Sequence, residues 1–201
     1  MAKPVLTLIR HGETEWSRRG QHTSRTDIDL TPTGEEQARQ LGVALSGIRF
    51  DLVLCSPRLR AWRTAGLAGL VPCEVDQDLV EWDYGAFEGQ TSTQIQERYP
   101  GWTVWVGPCP GGETPAEVSA RADRVIARIL DRAAEESGRC TAQVALVGHG
   151  HFSRALAARW VGQEVQVGAW LDLGTATWSQ LGWYRKDRVL RHWNVPPQAG
   201  A

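Results

Sequence analysis

Apolar residues fall along this chain in short runs. Residues 5–9, 51–55 and 143–147 each hold such a run, followed by a polar turn and then by apolar positions at helical spacing. Short runs bounded by turns fit strands buried on both faces, and their alternation with helices predicts a parallel or mostly parallel sheet between helical layers. The expected fold is therefore α/β, a three-layer α/β/α sandwich. Thr33-Gly-Glu-Glu36 has the form of a capping box, after which Ala38, Leu41 and Leu45 recur on one helical face. Thr114, Pro115 and Glu117 read as N-cap, first helical position and N3 of a second helix, whose stripe is Val118, Ala122, Val125, Ile129 and Ala133. Ser56-Pro57 reads as N-cap and first position of a third, running to about Leu67, with Arg60 in its first turns. Residues 177–183 and 189–193 predict a closing pair of strands around a turn near Lys186-Asp187. Residues 86–112 are irregular, with helix expected only around 93–98, and 196–201 reads as a frayed tail.

The length of 201 residues suffices for one sizeable core, so a single domain over 1–201 is expected. Lys plus Arg number 22 against 23 for Asp plus Glu. That balance supplies no basic field to draw the protein onto nucleic acid or an anionic membrane, so anion-binding charge has to be local. No apolar run is long enough to span a bilayer, and Met1 to Pro4 leads into a strand rather than a signal peptide. A cytoplasmic protein is expected. Cys55, Cys73, Cys109 and Cys140 form no C-x-x-C pair, which argues for packed, reduced thiols over a zinc or redox motif. Most of the ten tryptophans are expected in the core or a pocket wall.

Chemistry concentrates where the strands end. Ligands of open α/β sheets bind beyond the carboxyl ends of the strands. The first run passes into Arg10-His11-Gly12, the last into Gly148-His149-Gly150-His151, and the middle one feeds a helix carrying Arg58, Arg60 and Arg63. Each piece alone has an ordinary reading, since an isolated histidine is most often structural and three arginines suit a solvated helix face. Their repetition at three strand ends gathers imidazoles and guanidiniums at one sheet edge, and such a cluster repels itself unless an anion occupies it. Phosphate fits best: guanidinium matches its oxygens, helix N-termini aim N–H groups at it, and Gly12 lets the backbone come close.

These residues resemble the histidine phosphatase superfamily, also called the phosphoglycerate mutase-like family. The resemblance rests on L-I-R-H-G-E-T-E-W, C-S-P-R-L-R-A-W-R-T-A, E-W-D-Y-G-A-F-E-G and G-H-G-H-F-S-R, which in order and spacing span most of the chain. It implies that His11 is the nucleophile that becomes phosphohistidine, that Arg10, Arg60 and His149 bind the phosphoryl oxygens, and that Glu81 is the acid and base. Positioning and electrostatics are most of phosphoryl-transfer catalysis, so no metal or other cofactor is required. The double duty of Glu81, beside Asp83, leads to the expectation of a mildly acidic optimum for turnover.

Within the family the wording looks most like the branch of sedoheptulose-bisphosphatase-like and broad-specificity acid phosphatases. Mutases usually carry asparagine a few residues after R-H-G, where Ser17 stands here and keeps one hydroxyl for phosphate. The cofactor-dependent mutases are also longer, with segments that close over the intermediate. An open site exposes phosphohistidine to water and favours hydrolysis. The expected activity is hydrolysis of small phosphate monoesters, with phosphoglycerate mutase and a non-catalytic phosphate-binding module as alternatives. A metallohydrolase using His149-x-His151 is opposed by the arginines converging on the same place. Thr23, Gly150 and His151 complete the expected substrate contacts, and Trp102, Trp105 and residues 107–113 the rim. No G-K-[ST] follows Gly111-Gly112, so a nucleotide-binding P-loop is not expected.

Overall fold

A computed structural model describes residues 3–136 and 141–197. Six strands form one sheet in the order β3-β2-β4-β1-β5-β6: β1 Val5–Arg10, β2 Leu52–Cys55, β3 Glu74–Val75, β4 Gln143–Gly148, β5 Trp178–Tyr184 and β6 Asp187–Val195. β3, β2, β4 and β1 run parallel, and β5 and β6 add an antiparallel hairpin beside β1. The helices are α1 Glu15–Arg18, α2 Pro32–Leu45, α3 Leu59–Leu67, α4 Ser92–Arg98, α5 Pro115–Glu136 and α6 Gly150–Trp160.

Alternation along the central strands builds the layers. Leu6, Leu8, Val144 and Leu146 face a core shared with Val118, Val125 and Ile129 of α5 and Phe152 and Leu156 of α6. Ile9, Cys55, Ala145 and Val147 face the other way, onto Leu41 and Leu45 of α2 and Ala61 and Ala65 of α3. Both faces of the sheet are covered, which gives the α/β/α sandwich and explains why its strands read as unbroken apolar runs.

The helix starts differ in detail from the sequence reading. The N-cap of α2 is Thr31, not Thr33: Pro32 takes the first helical position, and the Thr31 hydroxyl accepts the Gly34 N–H. α5 does open with the Thr114–Glu117 box, each side chain accepting the other's backbone N–H. α3 begins two residues after Pro57, with Arg58 at the N-cap making no side-chain cap bond. The Ser56 hydroxyl is used elsewhere, against His149. The last hairpin turns at Arg185-Lys186, one residue earlier than expected, with Arg185 in the left-handed region at φ 54°. Cys55, Cys73 and Cys109 are free thiols, and Cys140 and residues 198–201 of the expected tail lie outside the described residues. No helix among the described residues is long and apolar enough to cross a membrane.

Candidate active site

Strand register assembles the site. Arg10 pairs with Gly148 across β1 and β4, and Cys55 with Val147 across β2 and β4, so the residues just past these strand ends, His11, Ser56 and His149, become neighbours. Two further bonds extend the ladder beyond the strands: His11 donates its N–H to the Gly148 carbonyl at 3.0 Å, and Ser56 donates to the Val147 carbonyl at 2.9 Å. The His11 and His149 rings meet edge to face with centroids 5.3 Å apart.

Hydrogen bonding fixes the tautomer of His11. His11 Nδ1 lies 2.7 Å from the Gly12 carbonyl oxygen, which can only accept, so Nδ1 carries the proton and Nε2 keeps its lone pair. Burial, with Arg60 and Arg10 nearby, holds the His11 pKa well below the ordinary histidine value, so the ring is neutral at neutral pH. Ser56 Oγ lies 2.8 Å from His149 Nε2 and accepts the Arg58 N–H. His149 Nδ1 is buried with no hydrogen-bond partner among the described residues. Burial and then Arg60 keep His149 neutral as well.

Glu81 sits at the start of α6. Its Oε1 accepts the N–H groups of Trp82 and Phe152 at 2.8 and 2.7 Å, and its Oε2 accepts that of His151 at 3.0 Å. The helix N-terminus thus holds a carboxylate of the protein, a different use from the direct phosphate contact expected of it. A Cβ on Gly150 would lie 3.3 Å from Arg10 Cζ and Nε and 3.6 Å from Glu81 Oε2, so glycine there lets this cation and this carboxylate share the same corner. Asp83, expected beside Glu81, forms its salt bridge with Arg25.

Of the three arginines on and before α3, the fold buries one. Arg60 is fully buried and donates to the backbone carbonyls of Thr23, Ser24 and Thr26, while Arg63 pairs with Asp29 and Glu35. Arg10 donates one N–H to the Leu173 carbonyl. The Nε atoms of Arg10, Arg58 and Arg60 are buried without a hydrogen-bond partner among the described residues. Carbonyls orient these cations but do not neutralise them, and an anion among them would take up the donors left over.

A cavity of about 250 Å³ opens here, lined by Arg10, His11, Glu81 and Gly150 together with Ser17, Thr23 and His151. Arg60 and His149 are fully buried and are not among its lining residues. Two expected contacts take other roles. Ser17 lines the cavity, but its hydroxyl donates to the Thr14 carbonyl and accepts the Thr14 N–H, closing the capping box of α1. Gly12 does not line it: its N–H donates to Thr64 Oγ1, and an added Cβ would fall 2.4 Å from the Gly34 carbonyl oxygen. Glycine is required there by the approach of the β1–α1 loop to α2, not by an anion. Gly12→Ala is expected to destabilise the protein by about 1–3 kcal/mol, read as a lower denaturant midpoint, because backbone on the opposing side cannot rotate away.

Trp102 and Trp105 are buried beneath the cavity rather than on its rim. Trp102 packs on His22 and Phe87, and Trp105 on Trp82 and His151. The wall also contains Gln21 and His22, from the stretch around Thr23 that the resemblance sets beside His11, and four residues to which motif reading gave no role: Tyr84, Ser92, Arg154 and Leu173. Arg154 had a signal, since it stands three residues after His151 and such pairs share a helix face. Burial pushes the Tyr84 pKa well up, so the phenol keeps its proton, and its hydroxyl lies 2.7 Å from His151 Nδ1. His22 is lowered to about 4 by burial and lies 3.2 Å from the Ser92 hydroxyl.

The same arrangement of chain occurs in known proteins. The sequence profile of the histidine phosphatase superfamily (branch 1) matches residues 6–196. An acid phosphatase of Mycobacterium tuberculosis is 45% identical over 92% of this chain and 89% of its own, and sedoheptulose 1,7-bisphosphatase of Saccharomyces cerevisiae is 35% identical over 81% and 69%. Among solved structures, an open reading frame product of Mycobacterium tuberculosis superposes with a TM-score of 0.91 at 41% identity, covering 97% of this chain and 99% of the other. A mycobacterial glucosyl-3-phosphoglycerate phosphatase superposes at 0.85 with 27% identity, over 96% and 99%. With a match over nearly its whole length and the R-H-G and G-H-G-H motifs gathered at one sheet edge, this chain belongs to the histidine phosphatase superfamily.

Proposed function

We propose that the protein is a metal-independent phosphatase that hydrolyses small phosphate monoesters, sugar phosphates or related metabolites, through a phosphohistidine. The observation that carries this reading is the state of His11: a neutral imidazole held by Nδ1 on a carbonyl, its Nε2 lone pair free, in a cavity it shares with Arg10 and Glu81. The cavity volume suits a small metabolite and not a macromolecular chain. The phosphatase names of the relatives agree with it.

His11 Nε2 attacks phosphorus in line, forming the P–N bond as the ester P–O bond breaks. Protonated Glu81 gives its proton to the departing alkoxide. Water then attacks the phosphohistidine, loses a proton to the Glu81 carboxylate, and the P–N bond breaks to release phosphate and neutral His11. Arg10, Arg60 and His149 take up charge on the equatorial oxygens, which the unpartnered Nε atoms and Nδ1 equip them to do. His149 and His151 each give one ring nitrogen to a hydroxyl, Ser56 or Tyr84, an arrangement for fixing tautomers rather than for binding a cation. Among the described residues no group of three or more His, Cys, Asp or Glu side chains could hold a metal ion.

The test is phosphate release in EDTA from p-nitrophenyl phosphate and a panel of sugar phosphates, at roughly pH 5.5 and about pH 7.5. Activity should persist in chelator. Because the folded-state pKa of His11 is lowered, the ring stays neutral as pH falls, so kcat/KM, corrected for substrate ionisation, should not decline between the two pH values through loss of the nucleophile. Abolition by EDTA, restored by added metal, would refute metal independence, and an acid limb at the ordinary histidine pKa would refute a neutral buried nucleophile.

A further inference from the structure

We propose that Arg121, paired with Glu113, is a positioning residue that aims the Glu81 carboxyl at the leaving-group oxygen. The inference rests on the phosphatase reading and deepens it. Glu81 needs such support because residues 80–84 belong to neither helix nor strand, so no ladder holds the backbone beneath it. Arg121 reaches into that gap from α5 and is itself buried. Its Nη1 donates to the Asp78 and Val80 carbonyls at 2.8 and 2.7 Å, and its Nη2 to the Glu81 carbonyl at 3.4 Å. Nε and Nη2 also donate to the two carboxylate oxygens of Glu113, at 2.8 and 2.6 Å. These five bonds use all five N–H donors of the guanidinium, so none is left for a ligand.

Glu113 ties down the chain on the other side of Glu81. Its Oε2 accepts the Asp83 N–H at 2.9 Å, its N–H donates to the Asp83 carbonyl at 2.9 Å, and its carbonyl accepts the Trp82 indole N–H at 2.9 Å. The neighbours of Glu81 on both sides, and its own carbonyl, are thus anchored to one ion pair. The same guanidinium lies 4.1 Å from the Phe152 ring centroid, and the Phe152 N–H donates to Glu81 Oε1. One cation therefore fixes both the backbone that carries the carboxyl and the start of α6 that receives it. A carboxyl that gives a proton to the leaving oxygen and later takes one from water must stay within hydrogen-bond reach of both, and a displacement of about 1 Å can cost about 100-fold in rate. Neither Arg121 nor Glu113 lines the cavity, so the pair acts on the reaction through Glu81.

The test uses Arg121→Lys, which keeps the charge but brings three donors to five acceptors. On glycerol 3-phosphate its kcat should fall by about 10- to 100-fold with little change in KM. On p-nitrophenyl phosphate, whose leaving group needs no proton, a burst of nitrophenol should precede slow release of phosphate. In Glu81→Gln protein the same substitution should cost nothing further, because a residue that acts only through the Glu81 carboxyl loses its effect with it. A double variant, Arg121→Met with Glu113→Gln, removes both charges without leaving a buried ion unpaired and should show the same pattern. Inorganic phosphate, titrated calorimetrically, should bind both variants as it binds the wild type, since Arg121 bonds to none of Arg10, Arg60 and His149. Equal losses on both esters without a burst, a full further loss in Glu81→Gln protein, or loss of phosphate binding would make Arg121 a general support of the fold and overturn the proposal. Amide hydrogen exchange gives a readout that needs no turnover: the His151 and Phe152 N–H groups, bonded to Glu81, should exchange faster in Arg121→Lys protein, while those of β1 and β4 keep their rates. That result in a protein that hydrolyses no ester would sustain the positioning and refute the phosphatase reading alone, whereas unchanged exchange at His151 and Phe152 would overturn the positioning.

Discussion

Replacing His11 by alanine is expected to lower phosphate release by at least about 10³-fold on every ester, since the covalent route is lost with Nε2. Among the described residues the side chain makes one hydrogen bond, to its neighbour's carbonyl, and one ring contact, with His149. Its removal therefore leaves the sheet ladder and both cores intact, and the thermal midpoint should move far less than the rate. Acid-quenched, radiolabelled enzyme separates chemistry from folding: wild-type protein should yield acid-labile phosphoryl label, and His11→Ala none. Label retained in the variant would place the nucleophile elsewhere.

Glu81→Gln should lower kcat for alkyl phosphates by about 10²- to 10⁴-fold. The carboxylate also accepts three backbone N–H groups, two at the start of α6 and one from Trp82, and glutamine keeps one acceptor oxygen while presenting an NH₂ to the remaining donor. A rate loss alone would not distinguish proton transfer from a displaced helix. p-Nitrophenolate leaves without needing a proton, so on p-nitrophenyl phosphate the variant should give a rapid burst of one nitrophenol per site and then slow release of phosphate. That burst is expected because the first step is spared while activation of water is not. Equal losses on both ester classes without a burst would make Glu81 a positioning residue only.

The local patterns legible in the sequence were those carried by neighbouring residues. Strands β1, β2 and β4 and the α5 capping box emerged where run length and spacing placed them, because burial on both sheet faces and N-terminal capping depend on residues a few positions apart. The R-H-G and G-H-G-H motifs were legible as strand-end chemistry for the same reason. Helix starts were less so. Thr31 displaced Thr33 because Pro32 suits the first helical position, and Ser56 was claimed by His149 from 93 residues away.

By itself, then, the sequence determined the α/β order of elements, the family and the gathering of imidazoles and guanidiniums at the strand ends. Only the tertiary structure decided that His11 carries its proton on Nδ1, that Arg60 is buried and Arg63 paired with carboxylates, and that Gly12 serves packing. The physical reason is range: spacing encodes interactions within one helix or strand, whereas proton placement and the balance of a buried charge depend on groups that only the folded chain brings within hydrogen-bonding distance.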